Sequence, residues 1–105
     1  MSIAEFYRKN GELTGFKVKG HSGYSEQGSD IVCASVSSAV MLTANLITEI
    51  FGYKADVSAV DDTVALKTDI PGDEVLQKLY QGLVLQLQEI AGEFKGNLKV
   101  QFTEV

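Results

Sequence analysis

Ile3-Ala4-Glu5-Phe6-Tyr7-Arg8-Lys9-Asn10-Gly11-Glu12-Leu13-Thr14-Gly15-Phe16-Lys17-Val18-Lys19-Gly20 holds two strands and the turn between them. Ile3 to Arg8, with Ile3, Phe6 and Tyr7, reads as the first strand. Asn10-Gly11 follows, and both residues tolerate the positive φ that a two-residue hairpin turn demands. Leu13 to Gly20 returns as the second strand, Phe16 and Val18 alternating with Lys17 and Lys19.

Working outward, Asp30 to Ile50 reads as a helix. Ser29 or Asp30 is placed to cap its first amides. Val32, Val36, Ala39, Val40, Thr43, Leu46, Ile47 and Ile50 form its apolar stripe, and Gly52 stops it. Ala34, Ser35, Ser37, Ser38 and Ala39 are small, so another element can approach this helix closely. Lys54 to Val60 and Thr63 to Ile70 flank Asp61-Asp62 as a second hairpin. Pro71-Gly72-Asp73-Glu74 starts a second helix, with carboxylates near its positive end. Leu76, Leu79, Tyr80, Leu83, Leu87, Ile90 and Phe94 recur along it at steps of three and four. Gly96-Asn97 ends it, and Leu98, Val100 and Phe102 alternate with polar residues in a last strand. The order ββαββαβ predicts an α+β two-layer domain: a mostly antiparallel sheet with two helices on one face. The 105 residues make one domain, 1–105, long enough to bury a core without metal or disulfide.

Fourteen acidic residues against nine basic ones give a net charge of −5. That argues against direct nucleic-acid binding, which needs a basic patch, and suits a basic partner. A single cysteine forms no internal disulfide, and neither a signal peptide nor an apolar run of about 18 residues is expected. The expectation is a cytoplasmic protein with no membrane association.

The chemistry lies in residues 20–37. His21 and Cys33 are the only histidine and the only cysteine. A thiol near an imidazole is the minimum equipment for nucleophilic catalysis: the thiolate attacks, and the imidazole takes and returns the proton. Cys33 is expected in the first helical turn, where unpaired amides and the dipole favour thiolate. Between them, Ser22, Gly23, Tyr24, Ser25, Glu26, Gln27, Gly28 and Ser29 lack apolar groups enough for a core and read as a loop that could gate substrate. Asp30 either caps the helix or orients His21. Ser37 lies one turn after Cys33 on the same face. One His and one Cys are too few for a zinc site, and no phosphate-cradling glycine loop is present, so neither metal nor cofactor is expected.

Taken together, Gly20-His21, the glycine-bearing loop, Gly28-Ser29-Asp30-Ile31-Val32-Cys33-Ala34 and Ser37 resemble the signature of Prp, the ribosomal-processing cysteine protease family of certain bacteria. The chain length, the element order and the run Gly82-Leu83-Val84-Leu85-Gln86-Leu87-Gln88-Glu89-Ile90 look alike too. Ser22 departs, where the family often has alanine. The resemblance implies His21 as general base, Cys33 as nucleophile, and supporting roles for Asp30 and Ser37. It further implies a homodimeric, cytoplasmic endopeptidase that trims the N-terminal extension of large-subunit ribosomal protein twenty-seven, cutting after a phenylalanine in a short apolar motif.

Two other functions fit the residues without the resemblance. In a non-catalytic ribosome-associated binding module Cys33 is a small buried hydrophobe. In a thiol redox sensor Cys33 is reactive but cleaves nothing.

Overall fold

A computed structural model describes residues 1–20 and 29–105, with the side chains of 29 and 30 excepted. The elements run β1 (Ser2–Lys9), β2 (Glu12–Lys19), α1 (Ser29–Asn45) with a π turn at Leu46–Ile50, β3 (Asp56–Val60), β4 (Thr63–Lys67), α2 (Glu74–Glu93) and β5 (Leu98–Glu104). The order is the expected ββαββαβ. The five strands lie side by side as β3-β4-β2-β1-β5. Every neighbouring pair is antiparallel except β1 with β5.

Asn10 and Gly11 turn the first hairpin at φ 54° and 81°, as a primed turn requires. The pairing slips between Tyr7 and Arg8: Tyr7 faces Gly15 but Arg8 faces Leu13, leaving Thr14 bulged. Elsewhere the alternation holds. Ala4, Phe6, Phe16, Val18, Leu66 and Leu98 point into one buried layer. Val32, Val36, Val40, Ala44 and Ile47 of the first helical segment meet Leu76, Tyr80, Leu83, Leu87 and Ile90 of α2 over that layer. Phe16 links the layers, edge-on to Tyr80 of α2 at 6.2 Å, while within the sheet Phe6 stacks on Phe102 of β5 at 5.7 Å.

Besides shifts of one residue at the ends of β1 and β2, several features differ from the sequence expectation. The helix that was to run from Asp30 to Ile50 starts one residue earlier, at Ser29, and widens into the π turn after Asn45. Phe51 N–H donates to Leu46 O, and Thr43 and Thr48 donate to the carbonyls of Ala39 and Ala44, bonds that bend a helix. The wider turn carries Ile50 off the apolar stripe, to 71% exposure, while Ile47 stays buried. The second hairpin is shorter than Lys54 to Ile70, because pairing begins at Asp56 and ends at Lys67. Finally, the expectation of no apolar stretch of about 18 residues does not hold: Ile31–Ile50 has the length and the mean hydropathy, 1.8, of a membrane span. Its inner face packs on the sheet as a core helix does.

α2 begins as its sequence signals. The Asp73 carboxylate accepts from Leu76 N–H at 3.0 Å and from the Tyr53 hydroxyl at 2.8 Å. These two bonds, the backbone one foremost, hold its carboxyl below the ordinary 3.8.

Candidate active site

Cys33 is half-buried on α1. Because the helix opens at Ser29, Cys33 is its fifth residue and begins the second turn, not the first. The N-terminal amides and dipole act chiefly within the first turn, so the expected help from the helix end is reduced. Among the described residues, one polar group facing the thiol comes from the sheet. Ser2 Oγ lies 3.9 Å from Cys33 Sγ, and Ser2 is 1% exposed. Ser2 gives the side-chain order of β1: Ser2, Ala4 and Phe6 all point under the helices. Its own N–H donates to Asn97 O at 2.9 Å, fixing that end of β1 against the approach to β5.

Beside the thiol is a cavity of about 150 Å³, walled by Val18, Val36, Val40 and Val64, with Met41 and Asp62 also lining it. Ser37 lines the same cavity, as its one-turn offset from Cys33 predicts. Gly20 closes another side. Its N–H donates to Asp62 O at 2.7 Å, and a Cβ on Gly20 would come within 3.2 Å of that oxygen. The last residue before His21 is thus tied to the β3–β4 turn. His21 and residues 22–28 of the expected loop lie outside the described residues. Ser29, assigned to that loop by sequence, belongs to the backbone of α1. Asp30 is in the first turn of α1, and its side chain is outside the described residues.

The structure therefore brings Cys33, Ser37, Gly20 and Ser2 to one cavity. Ser2 was missed by sequence reasoning. A lone serine ahead of an alternating strand carries no motif, and only the period of two, extended back from Phe6 and Ala4, would have put it on the helix-facing side. A second, larger space of about 750 Å³ runs between α1 and α2 on the outer side of the helical layer, with Ala34, Ser38, Ala39, Leu42 and Gly82 among its walls. Among the described residues, no three His, Cys, Asp or Glu side chains gather as a metal site would need.

This chain and its topology have counterparts among known proteins. The chain is 28% identical over 94 residues to the ribosomal processing cysteine protease Prp of Bacillus subtilis, with 84% of each protein covered. It is 27% identical over 95 residues to the protein of the same name from Staphylococcus aureus, covering 88% of this chain and 89% of that one. The Staphylococcus aureus Prp solved with a substrate peptide superposes with a TM-score of 0.90 at 22% identity, over 98% of this chain and all of that one. SMU.848 of Streptococcus mutans superposes at 0.83 and 24% identity, over 100% and 96%. The latter two likenesses speak for the fold. The family model described as cysteine protease Prp matches residues 1–99, nearly the whole length, and with this fold and this thiol in place the chain belongs to that family of cysteine peptidases.

Proposed function

We propose that this peptidase removes the N-terminal extension of large-subunit ribosomal protein twenty-seven, with Cys33 as nucleophile and His21 as general base. The observation that carries the reading is the cavity at Cys33: at about 150 Å³, with Val18, Val36, Val40, Val64 and Met41 as its apolar wall, it suits one large apolar side chain held next to the sulfur. A phenylalanine preceding the cut would fill it. The relatives in Bacillus subtilis and Staphylococcus aureus bear the name ribosomal processing protease, which agrees with such a substrate.

In this reading the imidazole of His21 takes the thiol proton, and the Cys33 sulfur uses its electron pair to bond the scissile carbonyl carbon. Collapse of the tetrahedral adduct expels the amine, which receives the proton from His21. Water then hydrolyses the thioester and frees the thiol. Asp30 orients His21 or caps α1, and Ser37 shapes the cavity. Residues 22–29 gate the substrate. Its backbone extends a sheet edge, for which β3, exposed along all five residues, is one candidate.

The same proposal makes the chain a single domain, 1–105, working in the cytoplasm as a homodimer. Support for the dimer lies on the outer side of the helices: no charged residue occurs from Ile31 to Thr48, and Leu42, 61% exposed, lines the α1–α2 groove. A second copy would cover that surface. The net charge of −5 favours capture of a basic ribosomal protein, with no direct contact to nucleic acid or membrane.

Incubation with the extended ribosomal protein, followed by mass spectrometry of the products, tests the function. The expected result is one cut after a phenylalanine. An intact substrate, or the same products from Cys33→Ala, overturns it.

A further inference from the structure

We propose that Ser2 is a positioning residue for the nucleophile: its hydroxyl donates a hydrogen bond to the Cys33 sulfur and steadies the thiolate. The inference rests on the reading of Cys33 as nucleophile. It begins from a question of burial. Among the described residues two polar side chains are buried, Ser2 and Thr43. A buried hydroxyl needs a partner. Thr43 finds one in its own helix, the carbonyl of Ala39 at 2.9 Å. Ser2 finds one 31 residues away, the sulfur of Cys33 at 3.9 Å, a reach that the large radius of sulfur permits.

The hydroxyl is held where it is. Ser2 pairs with Leu98 in the parallel ladder, and its N–H is bonded to Asn97 O. The side chain has one rotatable heavy-atom bond, and Cys33 sits above it on a helix packed at Val32 and Val36. Both partners are therefore carried by regular elements and not by loops.

A neutral thiol is a weak acceptor, whereas a thiolate is a charged one. When the thiol proton leaves for the general base, the Ser2 hydroxyl keeps its own proton and turns it to the sulfur anion. Attack then moves the sulfur pair into the new C–S bond and the charge onto the carbonyl oxygen, so the contact weakens. Ser2 thus raises the share of thiolate while making each thiolate slightly less nucleophilic. These opposed effects give a signature that a packing role lacks.

Alkylation of Cys33 by iodoacetamide across a pH series reads it out, using Ser2→Ala and the shape-matched pair Ser2→Thr and Ser2→Val. Loss of the hydroxyl in Ser2→Ala and Ser2→Val should slow alkylation near pH 6 by about threefold, the scale of one weak hydrogen bond. Near pH 9.5, where thiolate predominates in every variant, the rate should match or exceed that of the unaltered protein. Ser2→Thr should follow the unaltered protein throughout. Identical profiles for Ser2→Thr and Ser2→Val, or uniform slowing at every pH, overturn the proposal. Peptide cleavage measured in parallel keeps the two readings apart. Turnover by Cys33→Ala defeats the nucleophile assignment, whereas a flat alkylation comparison defeats only the role of Ser2.

Discussion

Gln77 of α2 grips the backbone of Leu13 at both ends of its amide: Leu13 N–H donates to Oε1 at 2.8 Å, and Nε2 donates to Leu13 O at 2.7 Å. The grip falls beside the bulge at Thr14, where the β1–β2 ladder slips. A side chain there does the work of a neighbouring strand. Gln77→Ala leaves a partly buried donor and acceptor without these partners, and should cost about 1–3 kcal/mol. Urea denaturation measures it. A loss within a few tenths of a kcal/mol would mean that water replaces the amide at no cost.

Cys33→Ala should abolish peptide cleavage while circular dichroism and the melting temperature stay close to those of the unaltered protein, since the change is small and the site half-buried. Cys33→Ser should be nearly inactive as well, because a hydroxyl lacks the acidity of a thiol. Cleavage by folded Cys33→Ala is the outcome that ends this assignment.

His21→Ala should lower kcat by about 10²–10⁴-fold, the usual contribution of positioned proton transfer. Steady-state kinetics on a peptide spanning the cut separates this from binding. A rise in KM at constant kcat would make His21 a substrate contact instead.

The Asp73 cap makes part of the stability depend on acid. Its carboxyl is held below the ordinary 3.8, first by Leu76 N–H and then by the Tyr53 hydroxyl. A depressed carboxyl stabilises the fold above its unfolded value, and that contribution is lost as pH falls through the folded one. Asp73→Ala should therefore melt lower than the unaltered protein at neutral pH, and the gap should close as pH falls through the depressed folded value. A gap independent of pH would assign the loss to packing.

Leu42→Glu should yield monomers. Leu42 is 61% exposed at the α1–α2 groove, and a carboxylate there would meet its own copy across a symmetric interface. Sedimentation velocity at micromolar concentration decides between monomer and dimer for both proteins. Independently, kcat/KM for a basic substrate should fall as salt rises, with kcat little changed.

The hairpin at Asn10-Gly11, the stripe on α2 and the helix start at Pro71-Gly72-Asp73-Glu74 were legible because each is set by neighbours in sequence, although the capping role of Asp73 itself was not read. The placement of β5 was not. Leu98, Val100 and Phe102 declare a face, but nothing in them says that the strand runs parallel to β1 and not antiparallel to another. Nor did the stripe of the first helix reveal its π turn, since Leu46, Ile47 and Ile50 fit an α period equally well. At the site, the thiol stood out by residue type and motif. Its neighbour across the core did not, because Ser2 meets Cys33 only after two elements separated by 31 residues have packed.

The parallel seam between β1 and β5 has a temporal consequence. It joins Ser2 to Leu98, so the floor beneath the thiol is laid by two segments almost a chain length apart. Such distant pairings close late, because the entropy of the intervening loop must be overcome first. A partly synthesised chain would already hold its α1 cysteine and its first hairpin, yet Ser2 would lack its anchor at Asn97 until the final strand arrived. Pulse-labelled exchange during refolding should find the Ser2 amide protected after those of Glu5 and Lys17, which face each other across the first hairpin, and its earlier protection would contradict this order. A peptidase built so completes the floor beneath Cys33 last, when β5 takes its place beside β1.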